Sequence, residues 1–142
     1  MENKRVPVEL DAEAALGLLE GAEFGRIAFI ADGIPTIRPL NHVLLDSRIV
    51  LFTRHTSALG RAVRRQADLQ VTYQADRIEP RTRLGWSVLV TGTAADISRE
   101  PHAAQIGLQV ESWMKHPLDM VIAIEPHKVT GLRLAAGSGG SR

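Results

Sequence analysis

The chain has 142 residues, 44% hydrophobic and 23% charged, a balance that suits one globular domain around a single core. Its formal net charge of +1 excludes a strong global pull toward nucleic acid or anionic membrane. The absence of cysteine removes disulfides, thiolate metal sites and thiol nucleophiles together, and suits a reducing cytoplasm. The charged start, Met1 to Arg5, leads into no apolar run of the signal-peptide kind, and no stretch approaches the ~20 apolar residues that span a bilayer. The expectation is a cytoplasmic protein whose core rests on Val, Ile, Leu and Ala.

In chain order, Asp11 is placed to cap a helix over residues 12–20, with Ala15, Leu16, Leu18 and Leu19 as its apolar side and Gly21 as its stop. The period then becomes extended. Residues 25–30 and 36–45 flank Asp32-Gly33, a hairpin signal, and Asp46-Ser47 turns the chain into a third strand, 48–53. A short helix opens at Thr56-Ser57. Strands at 69–73 and 86–93 follow, separated by a loop carrying Arg77, Arg81 and Arg83. Residues 101–113 alternate at helical spacing through Ala104, Leu108 and Trp113. A last strand runs over 120–124 and resumes after Pro126 at 129–134. Residues 137–142 read as a flexible tail, leaving 1–136 as one domain. About six antiparallel strands with two to three short helices make a mainly β protein, a barrel, since closure hides strand edges.

Metal spacing is missing: His42, His55, His102, His116 and His127 are scattered, with no HxxH or HExxH. No GxSxG or glycine-rich phosphate loop occurs either. Residues 48–83, by contrast, hold eight arginines against Asp68, Asp76 and Glu79. There a strand ends at Thr53, Arg54 follows, and a helix opens at Thr56-Ser57 with Arg61 one turn on. Hydroxyls, a guanidinium and free helix N–H groups at one point suit a phosphate monoester; equally, Ser57 or Thr56 is an ordinary cap beneath solubilising arginines. Arg38-Pro39-Leu40-Asn41 interrupts a strand. Proline cannot donate to a ladder, so this stretch belongs at an edge or bulge, where Asn41 offers a donor and an acceptor to a heterocycle. Trp86 and Ser87 follow Gly85, a setting that suits close approach by a flat ring or a subunit interface; the other reading is a core plug. His42 is the one histidine inside a candidate site, and a structural role is the commoner one for such a residue.

Taken in order, five segments resemble the pyridoxamine 5′-phosphate oxidase-like family, the FMN-binding split barrel, in its short bacterial branch. They are Gly25-Arg26-Ile27-Ala28-Phe29; Pro35-Thr36-Ile37-Arg38-Pro39-Leu40-Asn41; Ile49-Val50-Leu51-Phe52-Thr53; Gly85-Trp86-Ser87-Val88-Leu89-Val90-Thr91-Gly92; and Ile122-Ala123-Ile124-Glu125-Pro126 with Val129-Thr130-Gly131. The resemblance covers about residues 9–134. It implies a homodimer with two cofactor sites at the interface, the Arg38–Asn41 strand at the isoalloxazine edge, Thr53–Ser57 and the next helix at the phosphate, and Trp86 and Ser87 near the ring from the partner chain. One departure stands out: Leu59 lies two residues after Ser57, where the family often has a phosphate-binding lysine, and Arg54 or Arg61 would have to replace it. The substrate-binding residues of the true oxidases find no match, so vitamin B6 oxidation is not implied.

The expected function is an FMN-dependent oxidoreductase acting on a small molecule, in which the cofactor carries the redox chemistry and no side chain need be an acid or base. The alternative is a carrier or sensor of FMN, a deazaflavin or haem without turnover. A nucleic-acid-binding barrel fits less well, because the arginine-rich segment lacks interleaved aromatics on which bases would stack.

Overall fold

The computed structural model describes residues 5–103 and 118–137. Seven strands and two helices follow in the order β1 (Arg5–Leu10), α1 (Ala12–Glu20), β2 (Phe24–Ala31), β3 (Ile34–Leu45), β4 (Arg48–Thr53), α2 (Ala58–Arg65), β5 (Leu69–Ile78), β6 (Gly85–Asp96) and β7 (Met120–Ala136). All pairings are antiparallel, in the order β1-β7-β4-β3-β2-β5-β6, and a β6–β7 ladder closes the ring. Six strands therefore form the barrel. The seventh, β1, lies outside it, paired among the described residues with β7 alone from Arg5↔Ala136 to Leu10↔Gly131.

β1 corrects the expected count of six. A single partner leaves one edge free, and that edge tolerates Pro7, which has no N–H to donate. β7 also departs from expectation, since it continues through Pro126 instead of stopping there. The β6–β7 register slips at Thr91/Gly92, passing from Thr91↔Lys128 to Gly92↔Pro126. His127 is the extra residue of a bulge, which accommodates a residue with no N–H to donate. The two tight turns form as expected, with positive φ at Asp32 and Gly33 and again at Asp46 and Ser47. The helix expected over 101–113, with Trp113, lies largely outside the described residues.

α1 begins where the Asp11 carboxylate accepts from the Ala14 amide at 2.8 Å, and it buries Ala15 and Leu19, one turn apart, beside β7. Inside the barrel the strands alternate: Ile27 and Phe29 of β2, Ile49 and Leu51 of β4, Val71 and Tyr73 of β5, and Trp86, Val88 and Val90 of β6 belong to one buried cluster. Val50, Phe52, Ala123 and Ile97 form a second cluster on the other face of β4 and β7.

Candidate functional site

Two ladders in the barrel are short. β2 and β5 register over three pairs, from Arg26↔Gln74 to Ala28↔Thr72. β3 and β4 register over four, from Leu45↔Arg48 to His42↔Leu51. Beyond His42 the register would set Leu40 across from Thr53, but the strands have parted there. β3 continues on β2 through Asn41↔Phe24 and Arg38↔Ile27, while β4 continues on β7 to Thr53↔Met120. The barrel is thus split along the line between residues 38–41 and 53. Two of the three candidate groups, Arg38–Asn41 and Thr53–Ser57, face one another across that split. Pro39 sits on an edge, as its lack of an N–H requires, and the β2–β3 register steps evenly past it, so the edge comes without a bulge there.

The loop from Arg54 to Ser57 is held from several directions. Ser57 is the N-cap of α2: its Oγ accepts from the Gly60 amide at 3.0 Å and from Thr53 Oγ1 at 2.8 Å. A serine hydroxyl has two lone pairs and one proton, so both acceptor positions are filled and its proton is left to donate. Thr53 is buried, which fixes this hydroxyl pair in place. Arg61 donates to the Thr56 carbonyl, and Arg64 donates to the His55 carbonyl at 2.9 Å. From the start of β7, Asp119 Oδ1 accepts the His55 amide at 2.7 Å, Oδ2 lies 2.5 Å from His55 Nδ1, and the Asp119 amide donates to the Thr53 carbonyl at 3.2 Å. The His55 backbone and side-chain bonds hold the Asp119 carboxyl below its ordinary pKa, with the Arg54 charge adding to this.

The arginine count overstates the free positive charge. Arg65 pairs with Asp32 at 2.8 Å, Arg48 reaches Glu100 at 3.4 Å, Arg61 and Arg64 brace the loop, and the Arg38 guanidinium donates to the Ile37 carbonyl at 2.9 Å. Arg54, half-buried in the loop itself, is the cation best placed for an anion at the cap. Leu59 points into the core at 2% exposure, packed with Val63, so this position contributes packing in place of a cation.

Trp86 and Ser87 lie elsewhere. Trp86 pairs with Arg77 on β5 and Arg133 on β7 and sits in the central cluster at 9% exposure, while Ser87 takes the opposite face of the strand. Arg133 is thirteen residues along β7 from Met120, the partner of Thr53, roughly 40 Å of strand at ~3.3 Å per residue. Within one chain, then, Trp86 and the Thr53–Ser57 loop are separated by most of the length of β7. Gly85 has its own explanation, since at φ 151° a Cβ would fall 1.9 Å from the Arg77 carbonyl oxygen. Its freedom serves the β5–β6 backbone.

Sequence reasoning missed the partners that organise the split. His42 and Tyr73 form a buried pair beneath it, and Asp119 clamps the loop across 64 residues of sequence. Only the register of β4 on β7 brings Asp119 there, so no local motif signals it. Among the described residues no cluster of His, Asp and Glu could hold a metal ion, and no helix is long and apolar enough to cross a membrane.

Comparison with known proteins gives a family and a fold. The family model described as pyridoxamine 5′-phosphate oxidase matches residues 11–133. The uncharacterized protein Rv0080 of Mycobacterium tuberculosis is 41% identical over 139 residues, covering 96% of this chain and 91% of that protein. Among solved structures, an FAD-binding protein from Mesorhizobium loti superposes with a TM-score of 0.74 at 22% identity, covering 93% of this chain and 99% of that one. A heme-binding protein from Mycobacterium smegmatis superposes with a TM-score of 0.68 at 18% identity, covering 91% of this chain and 55% of that one.

Proposed function

The chain belongs to the pyridoxamine 5′-phosphate oxidase family, and from that premise we propose that it is a flavin-binding protein, an FMN-dependent oxidoreductase acting on a small molecule in the cytoplasm. The observation that carries this reading is the split between β3 and β4, where a free strand edge with Asn41 faces a capped, braced loop with an unspent Ser57 hydroxyl. Ser57, Thr56, the first amides of α2 and Arg54 would take the phosphate, whose oxygens accept from hydroxyl, amide and guanidinium alike. Arg38 to Asn41 would meet the edge of the ring system. The cofactor, when bound, supplies the electron transfer. The chain's residues bind and orient it.

A homodimer belongs to the same proposal. On this reading the Trp86–Ser87 end of one copy approaches the split of another. Apolar surface is available on both sides: Ile30, Ile34 and Ile37 on the β2–β3 hairpin are 53%, 64% and 61% exposed, and Leu89 and Leu132, on the β6–β7 face of Ser87, are 43% and 45% exposed. An obligate interface of this kind buries about 2,000 Å² or more. Sedimentation giving a monomer at micromolar concentration would overturn this part.

Titration with FMN, FAD, riboflavin, a deazaflavin and haem tests the cofactor. The expected result is tight flavin binding with FMN above riboflavin, followed by bleaching of the flavin bands with a nicotinamide donor. Bound flavin that resists every donor would favour a carrier without turnover. Preference for haem would favour the second reading, which the likeness to the heme-binding protein supports. That reading asks for an axial ligand other than His42, because both of its ring nitrogens are engaged.

A further inference from the structure

His42 and Tyr73 sit behind the Arg38–Asn41 strand in a network that can be counted proton by proton. His42 Nε2 lies 2.7 Å from the Leu19 carbonyl, an acceptor only, so Nε2 must carry a proton to bond there. The Tyr73 hydroxyl donates to the Leu40 carbonyl at 2.8 Å. The last contact, His42 Nδ1 to the Tyr73 oxygen at 2.6 Å, then finds the phenol's proton already committed. Nδ1 has to donate as well. All of these contacts are hydrogen bonds together only when His42 is an imidazolium, and a neutral ring leaves the set one proton short. The phenol cannot make up the deficit, because burial raises its pKa and keeps its single proton on it without adding another.

The surroundings oppose the extra charge. His42 is faced by the Tyr73 phenol from β5, the Leu19 carbonyl from α1 and Leu51 across the β4 ladder, and among the described residues no charged side chain bonds to it. Burial therefore lowers its pKa below 6.5, with the Leu19 bond pulling the other way. At neutral pH the ring is uncharged, and the phenol's proton must choose between imidazole nitrogen and amide oxygen. Imidazole nitrogen is the more basic acceptor, so the Leu40 carbonyl is the partner released.

We propose that His42 and Tyr73 are positioning residues for the Arg38–Asn41 strand, which is clamped through the Leu40 carbonyl when His42 is protonated and released when it is neutral. The clamp rests on its own geometry, and its link to ligand binding rests on the flavin reading above. Two measurements keep these apart. In a pH series by NMR, the Asn41 amide, which shares the peptide unit with the Leu40 carbonyl, should titrate with the same midpoint as the His42 ring nitrogens, below 6.5. It should stop doing so in Tyr73→Phe, which keeps the ring and loses the hydroxyl. An Asn41 amide that is flat in the native protein, or that titrates identically in Tyr73→Phe, overturns the proposal. Riboflavin is the ligand probe, since it lacks a phosphate that would itself titrate in this range. Its affinity should rise about fivefold as pH falls through the His42 midpoint, the low end of coupling between linked sites, and should lose that dependence in Tyr73→Phe. A titrating Asn41 with riboflavin affinity that does not follow keeps the clamp and removes the strand from the flavin site.

Discussion

Two regions of the barrel solve opposite problems. Around Trp86, β5, β6 and β7 run in long ladders, β1 straps the outside, and an indole fills the interior. At the split, β3 and β4 separate after four registered pairs, and order is maintained by a hydroxyl pair, two arginines bonded to loop carbonyls and one aspartate. Ladder hydrogen bonds and apolar packing are hard to remove one at a time. A loop held by side chains is cheaper to perturb and keeps backbone edges and a hydroxyl proton available to a ligand. The contrast says where substitutions should unfold the protein and where they should change binding alone.

The largest effect is expected at Trp86. Trp86→Ala removes a nearly buried indole from the central cluster and should cost about 3–5 kcal/mol, enough to lower the melting temperature by roughly 10 °C or more. Melting followed with and without flavin checks it. If the variant melts normally but loses flavin, Trp86 serves the partner's site more than its own core, and the contrast between the two regions fails.

Gly25→Ala comes next. A Cβ there would lie 2.5 Å from the Gln74 carbonyl oxygen and 2.6 Å from Tyr73 Cε2, so ring and strand must move together. Overpacking of this kind costs about 1–3 kcal/mol. Because the displaced ring carries the phenol bonded to His42 and Leu40, thermal melting should report that loss while the Asn41 amide shift reports the damage at the split.

Ser57→Ala sharpens the comparison from the split. Loss of the α2 cap should cost about 1 kcal/mol by denaturant unfolding. If the cap also serves a phosphate, FMN affinity should fall at least tenfold, with riboflavin nearly unchanged. An equal loss for both ligands would move the phosphate elsewhere.

What the sequence made legible follows from the range of the forces. Turns at Asp32-Gly33 and Asp46-Ser47, the Asp11 and Ser57 caps and the alternation in β2 and β6 are local signals, and each appears where expected. Pro39 at an edge is also local, since a missing N–H constrains its own strand. β1 went unread because its six residues are defined by their pairing with the far end of β7, a tertiary contact with no local signal. The meeting of Arg38–Asn41 with Thr53–Ser57 depends on where the β3–β4 ladder stops, a tertiary fact. Leu59 shows the limit from the other side. Its place near the cap suggested a missing cation, yet its side chain is core.

The smallest effect should come from Asp119, and its pH dependence has a definite sign. Its carboxyl pKa is lowered in the folded protein, first by the bond from the His55 amide and then by the bond to the His55 side chain. A lowered carboxylate pKa means the unfolded chain takes up the proton first as pH falls. The contribution of this group is therefore complete above the ordinary Asp range and is lost as pH falls through the folded value. Both partners are largely exposed, with side chains 56% and 45% accessible, so the pair should contribute little to global stability. Its influence should be confined to the loop. Asp119→Asn should leave the melting temperature within a degree or two at neutral pH. The amides of Thr56 and Ser57 should nevertheless exchange faster by hydrogen exchange, because the charge-assisted contacts to His55 are weakened. In acid, native protein and variant should converge as the native carboxylate is neutralised. Should exchange at Thr56 and Ser57 be identical in the two proteins at neutral pH, Arg61 and Arg64 hold the loop without help from β7.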